Sequence, residues 1–185
     1  MKRRRRRRGL FQGLLPRITA KKLISLIGAL LLGVFYLFFA PDGDVLTGVV
    51  TRVTDGDTIQ VTVAGDKRTI RLLGVDTPET VHPKKPVQFY GKEASNFTKT
   101  TLTNKTVWLE YDVAPLDRYN RHLAYVWLTK PGSGEEAIRG GMFNARLILE
   151  GYGKVMTIQP NSKYASLFAK FQEEARTKKR GLWGK

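Results

Sequence analysis

Acidic side chains stand at two abrupt breaks in a strand-like part of the sequence. Asp57 lies in the string TDGDTI, Asp76 lies in RLLGVDTPET, and Glu79 follows three residues after Asp76. Crowded together, such acids would repel one another or take up protons, whereas a hard divalent cation with oxygen ligands removes the conflict. The pattern therefore predicts a cation site. Each string alone also suits a plain turn, because Asp-Gly is a common hairpin signal and Asp-Thr-Pro-Glu can cap a turn.

Two arginines supply the positive charge that phosphoryl chemistry needs beside such acids. Arg71 shares a predicted strand with Asp76, and Arg121 follows the string DRYN at a loop-to-strand junction. A guanidinium group matches phosphate oxygens better than an ammonium group does, and it stabilises the negative charge that gathers on them in the transition state. Each arginine by itself is also compatible with a solvated surface position.

Alternating β-branched residues predict the elements that must position these groups. The string VLTGVVTRVTDGDTIQVTV, a turn over 64–66 and the string KRTIRLLGV predict three antiparallel strands. Strand character resumes over 105–113 and 122–129, and apolar spacing predicts helices over 91–104, 137–150 and 163–179. Five short strands with about three packed helices predict an α+β fold built on a small barrel, of which the OB-fold is the common type.

Charge is distributed unevenly along the chain. The formal net charge is +16, from 32 Lys and Arg against 16 Asp and Glu. Residues 1–40 hold ten of the basic residues and no acidic one. The milder basic excess of the remainder suits a polyanionic partner, because Lys and Arg attract phosphate backbones and release counterions, but it also fits a plain basic surface. The absence of cysteine excludes a disulfide framework and a thiolate metal site.

The N-terminal residues predict a membrane segment. Residues 1–22 form a basic tail, and residues 23–40 contain no charged side chain. As a helix, that span is about 27 Å long, close to a hydrocarbon core of about 30 Å. The positive-inside rule then places the tail in the cytoplasm and residues 41–185 across the membrane. A cleaved signal peptide, and hence a secreted protein, is the main alternative; a buried helix, an organelle address or a nucleic-acid tag are others.

Three separated strings closely resemble the staphylococcal nuclease (thermonuclease) family. They are DGDT, then RLLGVDTPET followed by HPKKPVQFYGKEAS, then DRYNRHLAYV, in the family's order and spacing. The resemblance covers about residues 45–183, including the final Gly-Leu-Trp. It implies that residues 41–185 form an OB-fold domain. It also implies a calcium-dependent endonuclease that hydrolyses phosphodiester bonds of DNA or RNA and leaves 3′-phosphates. The alternative is an inactive barrel that only binds nucleic acid.

The resemblance further implies which residues hold the metal and activate water. Asp57 and Asp76 look like the carboxylate ligands of Ca²⁺, and Thr77 looks like the ligand that contributes its backbone carbonyl. Glu79 looks like the residue that orients or deprotonates the attacking water.

The phosphate-binding residues are implied in the same way. Arg71 and Arg121 resemble the pair that clamps the scissile phosphate, while Arg118 and Tyr119 resemble neighbours that contact a terminal phosphate. Two segments depart from the family's pattern. A well-known member has tyrosines near the base where residues 154–159 read KVMTIQ, and the segment 130–141 is longer and richer in glycine.

Overall fold

The computed structural model describes residues 22, 25, 28, 29, 45–80 and 88–184. The chain divides into two compact units, Met1–Pro41 and Asp42–Lys185. The described residues of the first unit are helical. Within the described part of the chain, no helix is long and apolar enough to cross a membrane. The predicted span over 23–40 lies mostly outside these residues, so the membrane anchor, its topology and the extracytoplasmic location stay predictions.

Seven strands occur in the described part of the second unit. Each of them coincides with a stretch rich in β-branched residues or with a short extended segment. They are β1 Val45–Asp55, β2 Thr58–Val63, β3 Asp66–Leu72, β4 Gly74–Asp76, β5 Thr106–Leu116, β6 His122–Trp127 and β7 Lys154–Met156. Alternation along β2 shows why these residues form strands. Ile59, Val61 and Val63 are buried, whereas Gln60 and Thr62 between them are only half-buried. One face of the strand therefore builds the core.

Five of the strands close into a barrel in the order β1, β2, β3, β6, β5. Neighbours are antiparallel except β3 and β6, which run parallel and pair Ile70 with His122. Because the barrel is closed, its strands present no free edge. The five-stranded barrel predicted from the sequence is confirmed, and it fits the OB-fold.

The helices that pack on the barrel number four among the described residues, one more than predicted. They are α1 Gly91–Leu102, α2 Glu135–Gly141, α3 Phe143–Leu149 and α4 Ala165–Thr177, with a short 3-10 helix at Gly181–Trp183. The prediction of one helix over 137–150 is wrong. Met142 is extended, with φ −90° and ψ 121°, and its backbone forms a bridge with Trp127 of β6. This pairing and the full burial of Met142 break the helix.

A second, two-stranded sheet was not predicted from the sequence. In it β4 pairs antiparallel with β7, and Asp76 lies opposite Lys154. The backbone N of Val155 donates a hydrogen bond of 2.8 Å to the side chain of Gln172 in α4. This small sheet fixes the position of Asp76 against the C-terminal part of the domain.

Candidate active site

An open pocket of about 450 Å³, which we name the acidic pocket, brings together residues that lie far apart in the sequence. Its walls come from the end of β1, from β2, β3 and β4, from the segment after β4, and from the residue before β6. The lining includes all six residues of the predicted metal and catalytic set, which are Asp57, Arg71, Asp76, Thr77, Glu79 and Arg121. It also includes Thr54, Asp55, Thr58, Gln60 and Thr69.

Asp57 is held in the turn between β1 and β2 by two hydrogen bonds. Its Oδ1 accepts from Thr58 Oγ1 at 2.9 Å, and its Oδ2 accepts from the backbone N of Thr77 at 3.0 Å. The second bond joins this turn to the segment after β4. Gly56 permits the close approach, because a Cβ at that position would lie 2.6 Å from Thr77 Oγ1.

The guanidinium group of Arg71 lies between the two predicted carboxylate ligands. Its Nη2 is 3.2 Å from Asp57 Oδ2 and 3.0 Å from Asp76 Oδ1. Its Nη1 donates to the backbone oxygens of Leu72 and Val75, at 2.8 and 2.7 Å. Only 6% of the side chain is exposed, so these acceptors replace the water that it loses on burial. Arg71 thus offsets the charge of the acids and fixes the bend between β3 and β4.

Asp76 presents a half-exposed carboxylate to the pocket. Partial burial raises its pKa, Arg71 opposes this effect, Asp57 and Glu79 raise the pKa further, and Lys154 lowers it. The net direction is upward because burial, the largest cause, disfavours the charged carboxylate. A cation beside Asp76 would favour that charged form.

The donors around Asp57 and Asp76 suit a hard cation such as Ca²⁺, since they are all oxygens. The hydroxyl of Thr77 is buried and has no hydrogen-bond partner within the described part of the chain. No group of three or more His, Cys, Asp or Glu side chains among the described residues could hold a metal ion. A metal ion here would thus be held by the carboxylates of Asp57 and Asp76 together with neutral oxygens, from Thr77 and from water. The residues present fit the predicted metal in this form.

Asp55 is a residue of the acidic pocket that the sequence analysis does not single out. Its Oδ1 accepts from the backbone N of Gly56 at 2.8 Å and from Thr80 Oγ1 at 2.6 Å. Burial raises the pKa of Asp55 to about 6; these hydrogen bonds oppose the shift, and the carboxyl groups of Glu79 and Asp57 add to it. The one signal in the sequence is that Asp55 begins the string DGDT.

The main chain of Glu79 is held by two hydrogen bonds to Gln88 and by the packing of α1. Its backbone O accepts from the backbone N of Gln88 at 3.0 Å, and its backbone N donates to Gln88 Oε1 at 3.1 Å. The start of α1 packs tightly on the same segment. A Cβ added at Gly91 would lie 3.0 Å from the backbone O of Pro78 and 3.2 Å from that of Glu79. Glu79 is therefore held between Asp55 and the start of α1.

Arg121 is oriented by Asp117, four residues before it. Its Nε and Nη2 both lie 2.7 Å from Asp117 Oδ2, while Asp117 Oδ1 accepts from the backbone N of Arg121 and of Tyr119. Burial alone would raise the pKa of Asp117, but these hydrogen bonds and the charge of Arg121 lower it. One third of the Arg121 side chain remains exposed toward the pocket. The ion pair with Asp117 therefore fixes the guanidinium group of Arg121 and leaves part of it accessible.

Arg118 and Tyr119 lie beside the acidic pocket and do not line it. Tyr119 is 65% exposed, and its hydroxyl accepts a 2.6 Å hydrogen bond from Arg118 Nη2. The guanidinium carbons of Arg118 and Arg121 lie 4.7 and 5.5 Å from the centre of the Tyr119 ring. Tyr119 therefore contacts both Arg118, a predicted ligand of a terminal phosphate, and Arg121, a predicted ligand of the scissile phosphate.

Comparisons with known proteins agree on one family. The model described as "Staphylococcal nuclease homologue" matches residues 69–185. A thermonuclease of Staphylococcus intermedius is 50% identical over 135 residues, which are 73% of this chain and 74% of the relative. A thermonuclease of Staphylococcus hyicus is 48% identical over 134 residues, 72% of this chain and 73% of the relative. Endonuclease YncB of Bacillus subtilis (strain 168) is 38% identical over 136 residues, 72% of this chain and 60% of the relative.

These matches extend over most of the second unit, and the barrel agrees with the fold that the resemblance implies. A family model covers more than half of the chain, and relatives near 50% identity cover over two thirds of it, so the family is shown. The chain therefore belongs to the staphylococcal nuclease family and is a hydrolytic nuclease.

Proposed function

We propose that this nuclease is a calcium-dependent endonuclease that hydrolyses phosphodiester bonds of DNA or RNA and leaves 3′-phosphates. The observation that supports this proposal most strongly is the acidic pocket, where Asp57, Asp76 and Glu79 meet Arg71 and Arg121. Support for endonucleolytic cleavage comes from the relatives, which are named thermonucleases and endonucleases. The 3′-phosphate product follows from the family resemblance alone.

Asp57, Asp76 and Thr77 would hold Ca²⁺ at the wall of the pocket. When bound there, the ion supplies Lewis-acid chemistry and helps to orient the phosphate. The carboxylates provide the charge for this site, and Arg71 keeps them close together at 3.2 and 3.0 Å from its Nη2. Thr77, whose backbone N donates to Asp57 Oδ2 at 3.0 Å, would contribute its backbone carbonyl.

Glu79 orients the attacking water and takes up its proton. Such a base must be held within hydrogen-bond reach of the water, and the two bonds from Gln88 together with Asp55 restrict its movement. Water attacks phosphorus, the bond from phosphorus to the 5′-oxygen breaks, the 5′-oxygen leaves as a hydroxyl with a proton from solvent, and the phosphate stays on the 3′-oxygen. Glu79 is thus the catalytic base of the proposal.

The arginines act on the phosphate. Arg121 directs a partly exposed guanidinium group, fixed by Asp117, at the pocket, and Arg71 is a second arginine of its lining. The two guanidinium groups stabilise the charge on the phosphate oxygens as it grows in the transition state. Arg118 and Tyr119 would contact a terminal phosphate; their closeness to Arg121 supports this role.

The effect of Ca²⁺ on DNA cleavage and on the free energy of unfolding tests the proposed function. We expect the full chain to cleave single-stranded DNA with Ca²⁺ and to lose cleavage with a chelator. At about 100 times its Kd, Ca²⁺ should raise the free energy of unfolding by about 2.7 kcal/mol, because it binds the folded state only. The Asp76→Asn variant should lose both effects, whereas Asp66→Asn, at the exposed start of β3 and outside the pocket, should keep them. DNA binding without cleavage in Ca²⁺ would instead support the inactive binding barrel.

Gly91 provides a second test, of the packing that holds Glu79. We expect Gly91→Ala to lower kcat by up to about 10²-fold, because its Cβ would push the backbone of Pro78 and Glu79 out of place by a fraction of an ångström or more. The matched control is Gly140→Ala in α2, where an added Cβ has open space and alanine should stabilise the helix by about 1 kcal/mol. Equal kcat values for the two variants, measured by DNA hydrolysis, would contradict the positioning role.

A further inference from the structure

The outer face of the sheet formed by β1, β2 and β3 adjoins the acidic pocket. Thr58 of β2 is paired with Arg71 of β3, and both residues line the pocket. Two residues farther along β2, Gln60 is paired with Arg52 of β1 on one side and with Thr69 of β3 on the other. Paired residues lie on the same face of a sheet, and so do residues two apart along a strand. Arg52, Gln60 and Thr69 therefore form one row, which we name the outer row.

The outer row lies next to the place that the scissile phosphate would occupy. A strand rises by about 3.3 Å per residue, so the row lies about 7 Å along the strands from Thr58 and Arg71. Gln60 and Thr69 also belong to the lining of the acidic pocket. Neighbouring strands are about 4.8 Å apart, which makes the row about 10 Å wide. A nucleic-acid strand that leaves the pocket on this side therefore passes directly over the row.

The outer row offers hydrogen-bond donors and one positive charge. Arg52 is exposed, while Gln60 and Thr69 are half-buried. Within the part of the chain that the structure describes, none of these three side chains forms a hydrogen bond or an ion pair. The next residues paired on the same face are Val49, Thr62 and Lys67. Neither set contains a carboxylate, so the face that leads away from the acidic pocket is neutral to basic.

These groups match the phosphates of a nucleic acid and not its bases. Arginine, glutamine and threonine side chains are among the groups that bind phosphate oxygens in protein–DNA complexes. The carboxylates of the acidic pocket repel a phosphate unless a cation lies between them. The outer row contains no such acid and can bind a phosphate directly. It therefore suits a phosphate that is held and not cleaved.

We propose that the outer row binds the phosphate next to the scissile phosphate, through the guanidinium group of Arg52 and the side chains of Gln60 and Thr69. This inference rests on the proposed function and adds a phosphate subsite to it. Arg118 and Tyr119, which lie beside Arg121, are not part of this subsite. Contacts to phosphate carry no direct sequence information, so the outer row strengthens binding equally for all bases.

The test measures how the Kd for single-stranded DNA depends on salt concentration. The probe is a fluorescein-labelled oligodeoxynucleotide of about 12 nucleotides, bound to the full chain with a chelator present so that it is not cleaved. Each phosphate contact on a single strand contributes about 0.7 to the slope of log Kd against log salt concentration. We expect Arg52→Ala to lower this slope by about 0.7 and to raise Kd about fivefold at 0.1 M salt. Oligothymidine and oligoadenosine probes should show the same change.

Two conservative variants separate charge from hydrogen bonding. Arg52→Lys keeps the positive charge, so its slope should equal that of the wild type. Thr69→Val keeps the shape of the β-branched side chain and removes the hydroxyl donor. Its Kd should rise by about 2–10-fold, with no change in slope, because a neutral hydrogen bond is lost and no charge.

Lys130→Ala is the control for the loss of positive charge by itself. Lys130 is exposed in the loop after β6 and does not line the acidic pocket, so the slope should stay at the wild-type value. A wild-type slope for Arg52→Ala, or an equal fall in slope for Lys130→Ala, would overturn the inference. Cleavage with Ca²⁺ is measured separately. A wild type that binds DNA and cuts nothing would overturn the proposed function, and the slope of Arg52→Ala would still decide the role of the outer row.

Discussion

Glu79→Gln is expected to lower kcat for DNA hydrolysis by about 10²–10⁴-fold, which is the range that positioned general bases contribute. Glutamine keeps the size of the side chain and can still hydrogen-bond to water, but it cannot accept the proton. The backbone of residue 79 should stay in place, because its two bonds to Gln88 do not involve the replaced group. Steady-state kinetics with Ca²⁺, together with single-stranded DNA binding by fluorescence anisotropy, provides the measurement.

The matched control is Glu93→Gln, an exposed carboxylate in the first turn of α1 and outside the acidic pocket. Its kcat should equal that of the wild type. A Glu79→Gln variant with normal DNA affinity and greatly reduced kcat would assign the chemical step to this carboxylate. Retention of more than about a tenth of the wild-type kcat would show that another group takes the proton.

Arg71→Ala is expected to lower the free energy of unfolding by about 3–5 kcal/mol, the usual cost of removing one partner from a buried ion pair. The reason is the number of groups left without their donor. Asp57 and Asp76 would face each other across the pocket, and the backbone oxygens of Leu72 and Val75 would lose their hydrogen bonds. Urea unfolding with a chelator measures the loss, and DNA hydrolysis well below the unfolding temperature should be reduced as well.

Two further variants decide whether geometry or charge makes Arg71 important. Arg71→Lys keeps the charge, but one ammonium group cannot reach both acids and both backbone oxygens, so we expect an intermediate loss of stability. Arg52→Ala removes an exposed arginine of β1 and should change the free energy of unfolding by less than about 0.5 kcal/mol. Equal stability of Arg71→Ala and the wild type would contradict the bridging role of the guanidinium group.

Local patterns in the sequence were sufficient to predict the barrel strands, because the alternation of apolar and polar residues reports directly on which face is buried. They were insufficient for the helix over 137–150. The residues on both sides of Met142 favour a helix locally, but Met142 forms a bridge with Trp127 of β6, where the backbone N of Leu128 donates to the backbone O of Gly141. That contact comes from the closed barrel. A pattern of spacing along the chain contains no information on such a pairing.

The candidate site, like the fold, could be predicted from the sequence only in part. The residue types and order around Asp57, Asp76 and Arg121 were enough to suggest phosphodiester chemistry and the family, since three separated strings agree in order and spacing. Asp55 was not predicted as a site residue, because the Asp-Gly pair that it begins also fits an ordinary turn. Its importance comes from Thr80 and Glu79, which reach it only after the segment beyond β4 folds back on β1.

The sequence by itself determined the kind of protein: a small β-barrel with acids and arginines suited to phosphodiester hydrolysis, preceded by a basic and then an apolar segment. Tertiary structure alone decided how close these groups lie. It placed Arg71 between two acids and Lys154 opposite Asp76 in an unpredicted sheet. The physical reason is that strand character is a property of neighbouring residues, whereas burial, pairing and pocket shape depend on residues that meet only in the folded chain.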